Sequence, residues 1–237
     1  MNNVLPKINA TPSHELTIPS TGQKINFRPY LVKEEKILLL AFESNDNKTA
    51  MKAMVDTILA CISEPLDPSK LATFDIEYMF TQIRSKSVGE SAKVNVKCEE
   101  CDTENEIAVD LGTAEVEMPE DIVKRVEITK EVSVELKFPS YEVLYDMKEG
   151  LTETAMTYDI VNSCIDAVVT EDERIDVADV GKEELNTFIE SMNGEQFKRI
   201  TDFVQQMPIL RKNIQFKCKN CGHENDRDLQ GITDFFS

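Results

Sequence analysis

Two short stretches, each with a pair of cysteines separated by two residues, constrain the fold more than any other feature of the sequence. VNVKCEECDTENE begins at Val94, and IQFKCKNCGHEND begins at Ile214. We call residues 98–105 the first knuckle and residues 218–225 the second knuckle. Both follow the pattern Lys–Cys–x–x–Cys–x–x–Glu–Asn. A Cys-x-x-Cys turn presents two thiolates from one backbone loop, which is half of a tetrahedral zinc shell.

The two knuckles together predict one shared structural site. The segment between them is far longer than the about 12–20 residues of a compact zinc ribbon. Closing the longer loop costs only about 2 kcal/mol more, because the entropy grows with the logarithm of length. Structural zinc contributes about 10–16 kcal/mol in small peptides. We therefore predict about one Zn²⁺ per chain, with the ligands Cys98, Cys101, Cys218 and Cys221.

Three other interpretations of the cysteine pairs remain open. A thioredoxin-like redox pair requires a βαβ context at a helix N-terminus, whereas each pair here follows a predicted strand. A catalytic zinc requires an open coordination position; His223 lies close by, but four thiolates would leave no such position. The thiols could also be buried or disulfide-bonded without metal.

The elements upstream of each knuckle also occur in a similar order. LTIPSTGQKINF and VEITKEVSVELKF alternate apolar and polar residues, which predicts a β-hairpin in each, the first turning at Pro19–Gly22. Helical patterns follow in VKEEKILLLAFES, KTAMKAMVDTILACISE and FDIEYMFTQIRSKS. Their counterparts are ETAMTYDIVNSCIDAVV and GEQFKRITDFVQQMP, with an extra short helix in KEELNTFIESM.

The order of elements predicts an α+β fold of two similar modules, with small antiparallel sheets, that share a zinc-ribbon-like four-cysteine site. The predicted organisation is a flexible N-terminal tail (1–13), a first hairpin–helices–knuckle module (14–113), a linker (114–124) and a second such module (125–237). Chance repetition of element types in an α+β chain is the alternative.

Charge and composition limit the possible partners. The formal net charge is −18, from 26 Lys+Arg and 44 Asp+Glu. A strongly acidic chain is repelled by nucleic-acid phosphates and by anionic membranes. No stretch resembles a signal peptide, and no apolar run approaches the about 18 residues that span a bilayer. We expect a cytosol-like compartment and protein partners.

The remaining candidate residues favour structural roles. Cys61 and Cys164 lie on apolar helix faces and are expected to be core thiols. His14 is expected at the surface, where a hairpin starts. The sequence has no nucleophile elbow, phosphate-binding glycine loop or dinucleotide fingerprint, and no carboxylate pair is spaced for acid–base catalysis. We therefore expect no enzyme activity and no small-molecule substrate.

Three stretches together resemble one known family. FDIEYMFTQIRSKSVGE, VKCEECDTENEIAVDL and FKCKNCGHENDRDLQGITDFF are similar to sequences of the baseplate hub protein family of T-even-type contractile-tailed bacteriophages. The resemblance extends from about residue 14 to the end of the chain. By this resemblance, the four cysteines correspond to the family's knuckle thiolates, and residues 83–90 to the segment that leads into the first knuckle.

The resemblance implies a non-enzymatic late protein that contacts other baseplate hub and tail proteins. It would be a permanent hub subunit in the virion tail baseplate or a transient assembly factor in the infected host cytoplasm. A zinc-stabilised cytosolic adaptor or regulator unrelated to phage tails is the alternative. Near the terminus, Phe235 and Phe236 either tuck against their own module or form a docking peptide for a hub partner.

Overall fold

The computed structural model describes residues 11–44, 46–119, 122–146 and 152–235. These residues form a mixed α+β structure, as predicted, and they fall into two compact units. The first unit is built from the described parts of Met1–Asp67, Asp75–Glu115 and Leu210–Ser237. The second unit is built from the described parts of Pro68–Phe74 and Val116–Ile209. The second knuckle therefore belongs to the same unit as the first knuckle.

The first unit begins with the predicted hairpin and continues into helices. Ile18 N–H donates to Gln23 across the turn, where Gly22 takes a positive φ of 70°. Leu38 and Ala41 bury one side of the next helix, and Ile58 is buried in the helix after it. The elements wholly or partly in this unit are β1 (His14–Thr17), β2 (Lys24–Phe27), α1 (Val32–Glu43), α2 (Asn47–Cys61), α3 (Thr73–Val88), β3 (Ser91–Lys97), β4 (Glu104–Asp110) and β5 (Glu115–Val116).

The second unit packs helices against a four-stranded antiparallel sheet, in which the strands lie side by side in the order in which they follow one another along the chain. Its core includes Val134, Val161, Ile165 and Ile200, all almost fully buried. The predicted hairpin at VEITKEVSVELKF is present. Its elements are β6 (Arg125–Glu127), β7 (Ser133–Leu136), α4 (Tyr141–Asp146), α5 (Glu153–Cys164), β8 (Ile165–Val169), β9 (Arg174–Asp176), α6 (Lys182–Glu190) and α7 (Gly194–Gln205).

The helix predicted for ETAMTYDIVNSCIDAVV is wrong in its last five residues. The helix α5 ends at Cys164, and the next five residues form the strand β8. Val168 of β8 pairs with Val134 of β7, so these β-branched residues lie in the sheet. An apolar run of this length cannot be assigned to helix or strand by periodicity alone.

The remaining elements return the chain to the first unit. They are β10 (Leu210–Lys217), β11 (Glu224–Gln230) and the short helix α8 (Gly231–Phe235). The strands β10 and β11 pair antiparallel, as β3 and β4 do. The helix α8 lies against β3, β10 and β11. Phe235 is fully buried there, so this part of the terminus tucks against its own unit. Phe236 lies outside the described residues.

One hydrogen bond recurs in the two hairpin–helix segments. In the first, the N–H of Arg28, directly after β2, donates to the carbonyl of Cys61 at 2.9 Å. In the second, the N–H of Lys137, directly after β7, donates to the carbonyl of Cys164 at 2.7 Å. Each cysteine is the last residue of its helix. The same local connection between a hairpin and a helix end thus occurs twice.

Candidate metal centre

Each knuckle is the tight turn between two paired strands. In the first knuckle, the N–H of Cys98 donates to the carbonyl of Thr103 at 3.0 Å, and the N–H of Asp102 donates to the carbonyl of Cys98 at 3.0 Å. Asp102 has a positive φ of 54° and is the only non-glycine residue in the described chain with that conformation. This backbone turn directs Cys98 and Cys101 to the same side.

The second knuckle repeats this geometry. The N–H of Cys218 donates to the carbonyl of His223 at 2.8 Å, and the N–H of Gly222 donates to the carbonyl of Cys218 at 3.0 Å. Gly222 has a φ of 75° and stands where the first knuckle has Asp102. Glycine adopts this left-handed conformation without steric penalty. The local sequence therefore produces the same turn twice.

The four knuckle cysteines come together in one cluster. All of their sulfur atoms lie within 4.8 Å of one another. Sγ of Cys98 is 3.7 Å from Sγ of Cys221, and Sγ of Cys101 is 3.7 Å from Sγ of Cys218. All four are free thiols. Thiolates at about 2.3 Å from a tetrahedral zinc ion would stand about 3.8 Å apart, so the donor set and its spacing fit the predicted ion.

Two buried asparagines connect the knuckles to each other. Nδ2 of Asn105 donates to the carbonyl of Thr103 at 2.7 Å in its own knuckle. Oδ1 of Asn105 accepts the N–H of Lys219, in the opposite knuckle, at 2.9 Å. Asn105 is 3% exposed. Its amide therefore joins the two turns through a pair of short hydrogen bonds.

The second asparagine makes the reciprocal connection. Nδ2 of Asn225 donates to the carbonyl of His223 at 3.1 Å, and its Oδ1 accepts the N–H of Glu99 at 2.9 Å. Asn225 is also 3% exposed. Each asparagine thus accepts a backbone N–H of the opposite knuckle. The hydrogen bonds between the two knuckles therefore form a reciprocal pattern with local two-fold symmetry. The sequence analysis did not assign these residues a role, although Asn occurs four positions after the second cysteine in both knuckles.

Polar groups around two of the four sulfurs lower the pKa of the thiol. Oγ1 of Thr103 lies 3.3 Å from Sγ of Cys101. With this contact as the leading cause, the pKa of Cys101 falls to about 6. Backbone N–H groups of Cys221 and Asn220 lower the pKa of Cys218. The pKa of Cys221 instead rises to about 12, because its backbone hydrogen bond with His223 is outweighed by hydrogen bonds with Cys101, Cys218 and Cys98. A thiolate is the form that binds metal, so the shifts of Cys101 and Cys218 are in the direction that metal binding requires.

The two remaining cysteines do not join the cluster. Cys61 and Cys164 are both buried, the first at the end of α2 and the second at the end of α5. Burial raises the pKa of each thiol to about 11. They are neutral core side chains, as expected. His14 is not simply a surface residue, because its ring lies 5.4 Å from that of Phe27 and it is half-buried.

The fold and the site define an α+β protein with a zinc-ribbon-like cluster of four thiols. In a comparison with protein families, residues 11–237 match the family described as T4 bacteriophage base plate protein. The chain therefore belongs to this family and is a structural protein of the phage baseplate. No curated protein and no solved structure matches the chain.

Family membership also bears on the other expectations. A baseplate protein acts in the virion tail and contacts other tail proteins, which agrees with the predicted protein partners. The alternative of an adaptor unrelated to phage tails loses its support. In the described part of the chain, no helix has the length and apolar character needed to cross a bilayer.

Proposed function

We propose that this protein is a non-enzymatic component of the baseplate hub whose fold is stabilised by one structural zinc ion. The observation that carries the proposal is the four-thiol cluster inside a chain of the baseplate family. The hub assignment is supported by the resemblance in residues 83–90 and in both knuckles. The protein acts through contacts with other hub and tail proteins.

The proposed ligands of the ion are the four clustered cysteines, Cys98, Cys101, Cys218 and Cys221. A bound zinc ion would supply a cross-link between two turns that are distant in sequence. The reciprocal asparagines would orient the turns so that the four sulfurs face one point. Because four thiolates complete a tetrahedral shell, no position would remain for water or substrate. This supports a structural role and argues against catalysis at the site.

The predicted absence of nucleic-acid, membrane and small-molecule ligands is part of the proposal. For nucleic acid and membranes it is supported by the formal net charge of −18, which repels phosphates and anionic lipids. The protein would act either as a permanent subunit in the virion tail or as an assembly factor in the infected cell. Both roles use protein–protein contacts.

The metal part of the proposal is tested by elemental analysis of protein purified under reducing conditions. We expect about one zinc per chain for the natural sequence and loss of zinc in Cys98→Ser and Cys218→Ser. Cys164→Ala is the matched control, because it removes a buried thiol outside the cluster and should retain the metal. Two ions per chain, or none, would contradict the shared site.

The hub part is tested by co-expression with the tail proteins encoded beside it. We expect a stable complex, or greater solubility of at least one hub protein. Quantitative mass spectrometry of purified virions then separates the two roles, since a subunit is retained in fixed stoichiometry and an assembly factor is lost. A protein that co-purifies with no tail protein and leaves their assembly unchanged would contradict the hub assignment.

A further inference from the structure

The outward side of α1 is unusually apolar for an exposed helix. Val32 is 79% exposed, Ile37 and Leu39 are each 56% exposed, Leu40 is 57% exposed and Phe42 is 41% exposed. The helix is anchored by its opposite side, through Leu38 and Ala41. Single exposed apolar residues are common on protein surfaces, but five of them on one 12-residue helix are typical of an interaction site. We call these five exposed side chains the α1 surface.

The charges on this helix follow a specific order. Lys36 and Glu43 are both exposed, one turn before and one turn after the Leu39–Leu40 pair. Residues 32, 36, 39 and 43 follow spacings of four, three and four, so they form one stripe along a helix. In the described part of the chain, neither Lys36 nor Glu43 forms an ion pair. The stripe therefore carries one unpaired charge of each sign on either side of an apolar centre.

We propose that the α1 surface is a dimer interface, on which α1 of a second copy of this chain packs antiparallel. The two-fold axis passes between Leu39 and Leu40. Leu39 and Leu40 of both copies then form the apolar centre of the contact, and Lys36 of each copy meets Glu43 of the other. This is an isologous contact, in which residue i meets residue j and j meets i.

The order of charges selects a second copy in this orientation. An antiparallel pair centred between residues 39 and 40 brings two Lys–Glu pairs together. A parallel pair would place Lys36 beside Lys36 and Glu43 beside Glu43, which is repulsive. The same stripe thus complements itself in only one of the two orientations. A second copy supplies this complementary arrangement by symmetry, whereas an unrelated partner would have to carry it independently.

The interface is expected to be weak. A 12-residue helix is about 18 Å long, so the contact lies at the small end of specific interfaces. The net charge of −18 on each copy also opposes association at low ionic strength. We therefore expect a dissociation constant on the order of micromolar to tens of micromolar. The α1 surface includes none of the proposed metal ligands. The inference of a dimer therefore does not depend on whether the protein is a hub component.

The test is sedimentation velocity of the full-length protein across a concentration series. The natural sequence should move from a species of 26.9 kDa toward twice that mass as concentration rises. Lys36→Glu and Glu43→Lys should each weaken self-association about tenfold or more, because each places two like-charged pairs in the dimer. An equimolar mixture of the two variants should regain the affinity of the natural sequence, since both contacts are again between opposite charges.

Matched controls are the charge reversals Lys130→Glu and Glu131→Lys, in the exposed turn between β6 and β7, which should leave association unchanged. Leu40→Gln tests the apolar centre and should also weaken association. Each variant must keep the melting temperature and metal content of the natural sequence. A monomer at all concentrations up to about 100 times the expected constant, or single variants that are not rescued by mixing, would overturn the proposal.

Discussion

Asn105 and Asn225 occupy equivalent positions in the two knuckles. The side-chain amide of each one is hydrogen-bonded to the backbone of the opposite knuckle. Asn105 accepts the N–H of Lys219, and Asn225 accepts the N–H of Glu99, both at 2.9 Å. The two knuckles are thus connected by buried hydrogen bonds as well as by the arrangement of their thiols.

Asn105→Ala and Asn225→Ala should destabilise the protein by similar amounts. Each substitution leaves one backbone N–H of the opposite knuckle, that of Lys219 or Glu99, without its buried acceptor. We expect a loss of about 1–3 kcal/mol in the free energy of unfolding for each, measured by urea denaturation of the metal-loaded protein. Asn213→Ala is the control, because Asn213 bonds only exposed Asp226 and Asp228 side chains; it should change stability by less than about 0.5 kcal/mol. A much larger effect for one knuckle asparagine than for the other would contradict the reciprocal arrangement.

Replacing a cysteine in the first knuckle should have the same effect as replacing a cysteine in the second knuckle. If a single ion binds all four sulfurs, Cys98→Ser and Cys218→Ser each remove one ligand from the same shell. Both variants should show a lower melting temperature and greater protease sensitivity around both knuckles, as should the natural protein treated with a chelator. Limited proteolysis with mass spectrometry locates the cleavages. Cleavage confined to the substituted knuckle would mean that the two turns are independent.

Phe235→Ala should strongly destabilise the first unit. The side chain is fully buried where α8 lies against β3, β10 and β11. Truncating a buried phenylalanine costs about 3–5 kcal/mol, because it removes apolar contacts and leaves a cavity. Thermal unfolding measures the loss. Phe42→Ala is the comparison at a phenylalanine that is 41% exposed, and it should lower the melting temperature of the monomer clearly less than Phe235→Ala does. A Phe235→Ala protein that melts normally would favour the docking-peptide interpretation of the terminus.

The stability contributed by Glu77 should depend on pH. Its carboxylate accepts the N–H of Ile232 at 3.2 Å, and burial raises its pKa above the ordinary value of 4.5. A carboxyl group with a raised pKa in the folded state favours folding while protonated, and this contribution is lost as pH rises from 4.5 through the folded-state pKa. Glu77→Gln retains an acceptor for Ile232 without the charge. The variant should therefore gain stability relative to the natural sequence as pH rises from 4 to 7.

The matched comparison for Glu77 is Glu106→Gln, at an exposed carboxylate that pairs with Lys93. Its effect on the free energy of unfolding should be small at every pH in this range. Urea denaturation at several pH values provides the measurement. A Glu77→Gln difference that stays constant with pH would show that burial does not perturb this carboxylate.

The sequence was most informative where a local motif determines a local structure. The Cys-x-x-Cys pairs predict two tight turns, and the turns are present with the four sulfurs together. The first hairpin was also predictable, since Gly22 takes the positive φ that its turn requires. In each case a few adjacent residues determine the conformation.

The sequence was least informative where the structure depends on partners distant in the chain. Ile165 continues the apolar pattern of α5, and only its position opposite Leu136 of β7 makes it part of a strand. The asparagines were visible at matching positions. Their role depends on the other knuckle, whose backbone supplies the N–H group, and no local pattern reveals this.

The division into two sequence modules, 14–113 and 125–237, stays a prediction. The recurring bonds of Arg28 to Cys61 and of Lys137 to Cys164 support it, because duplicated segments would retain such a connection. The two compact units, in contrast to the two sequence modules, are defined by spatial contacts. Both knuckles belong to the first of these units. A structure-based alignment of the two hairpin–helix segments in an experimental structure would test the duplication.

The placement of both knuckles in one unit has a consequence for biosynthesis. The ribosome delivers Cys98 and Cys101 first, then Val116–Ile209 of the other unit, and only then Cys218 and Cys221. At about 5–20 residues per second, the first thiol pair waits on the order of ten seconds for its counterpart. Throughout that interval the nascent chain has two of the four sulfurs of the cluster. If translation stops before the second knuckle, the polypeptide has only the first pair of thiols and cannot form the four-thiol cluster. A complete cluster therefore forms only in chains that have been translated through the second knuckle.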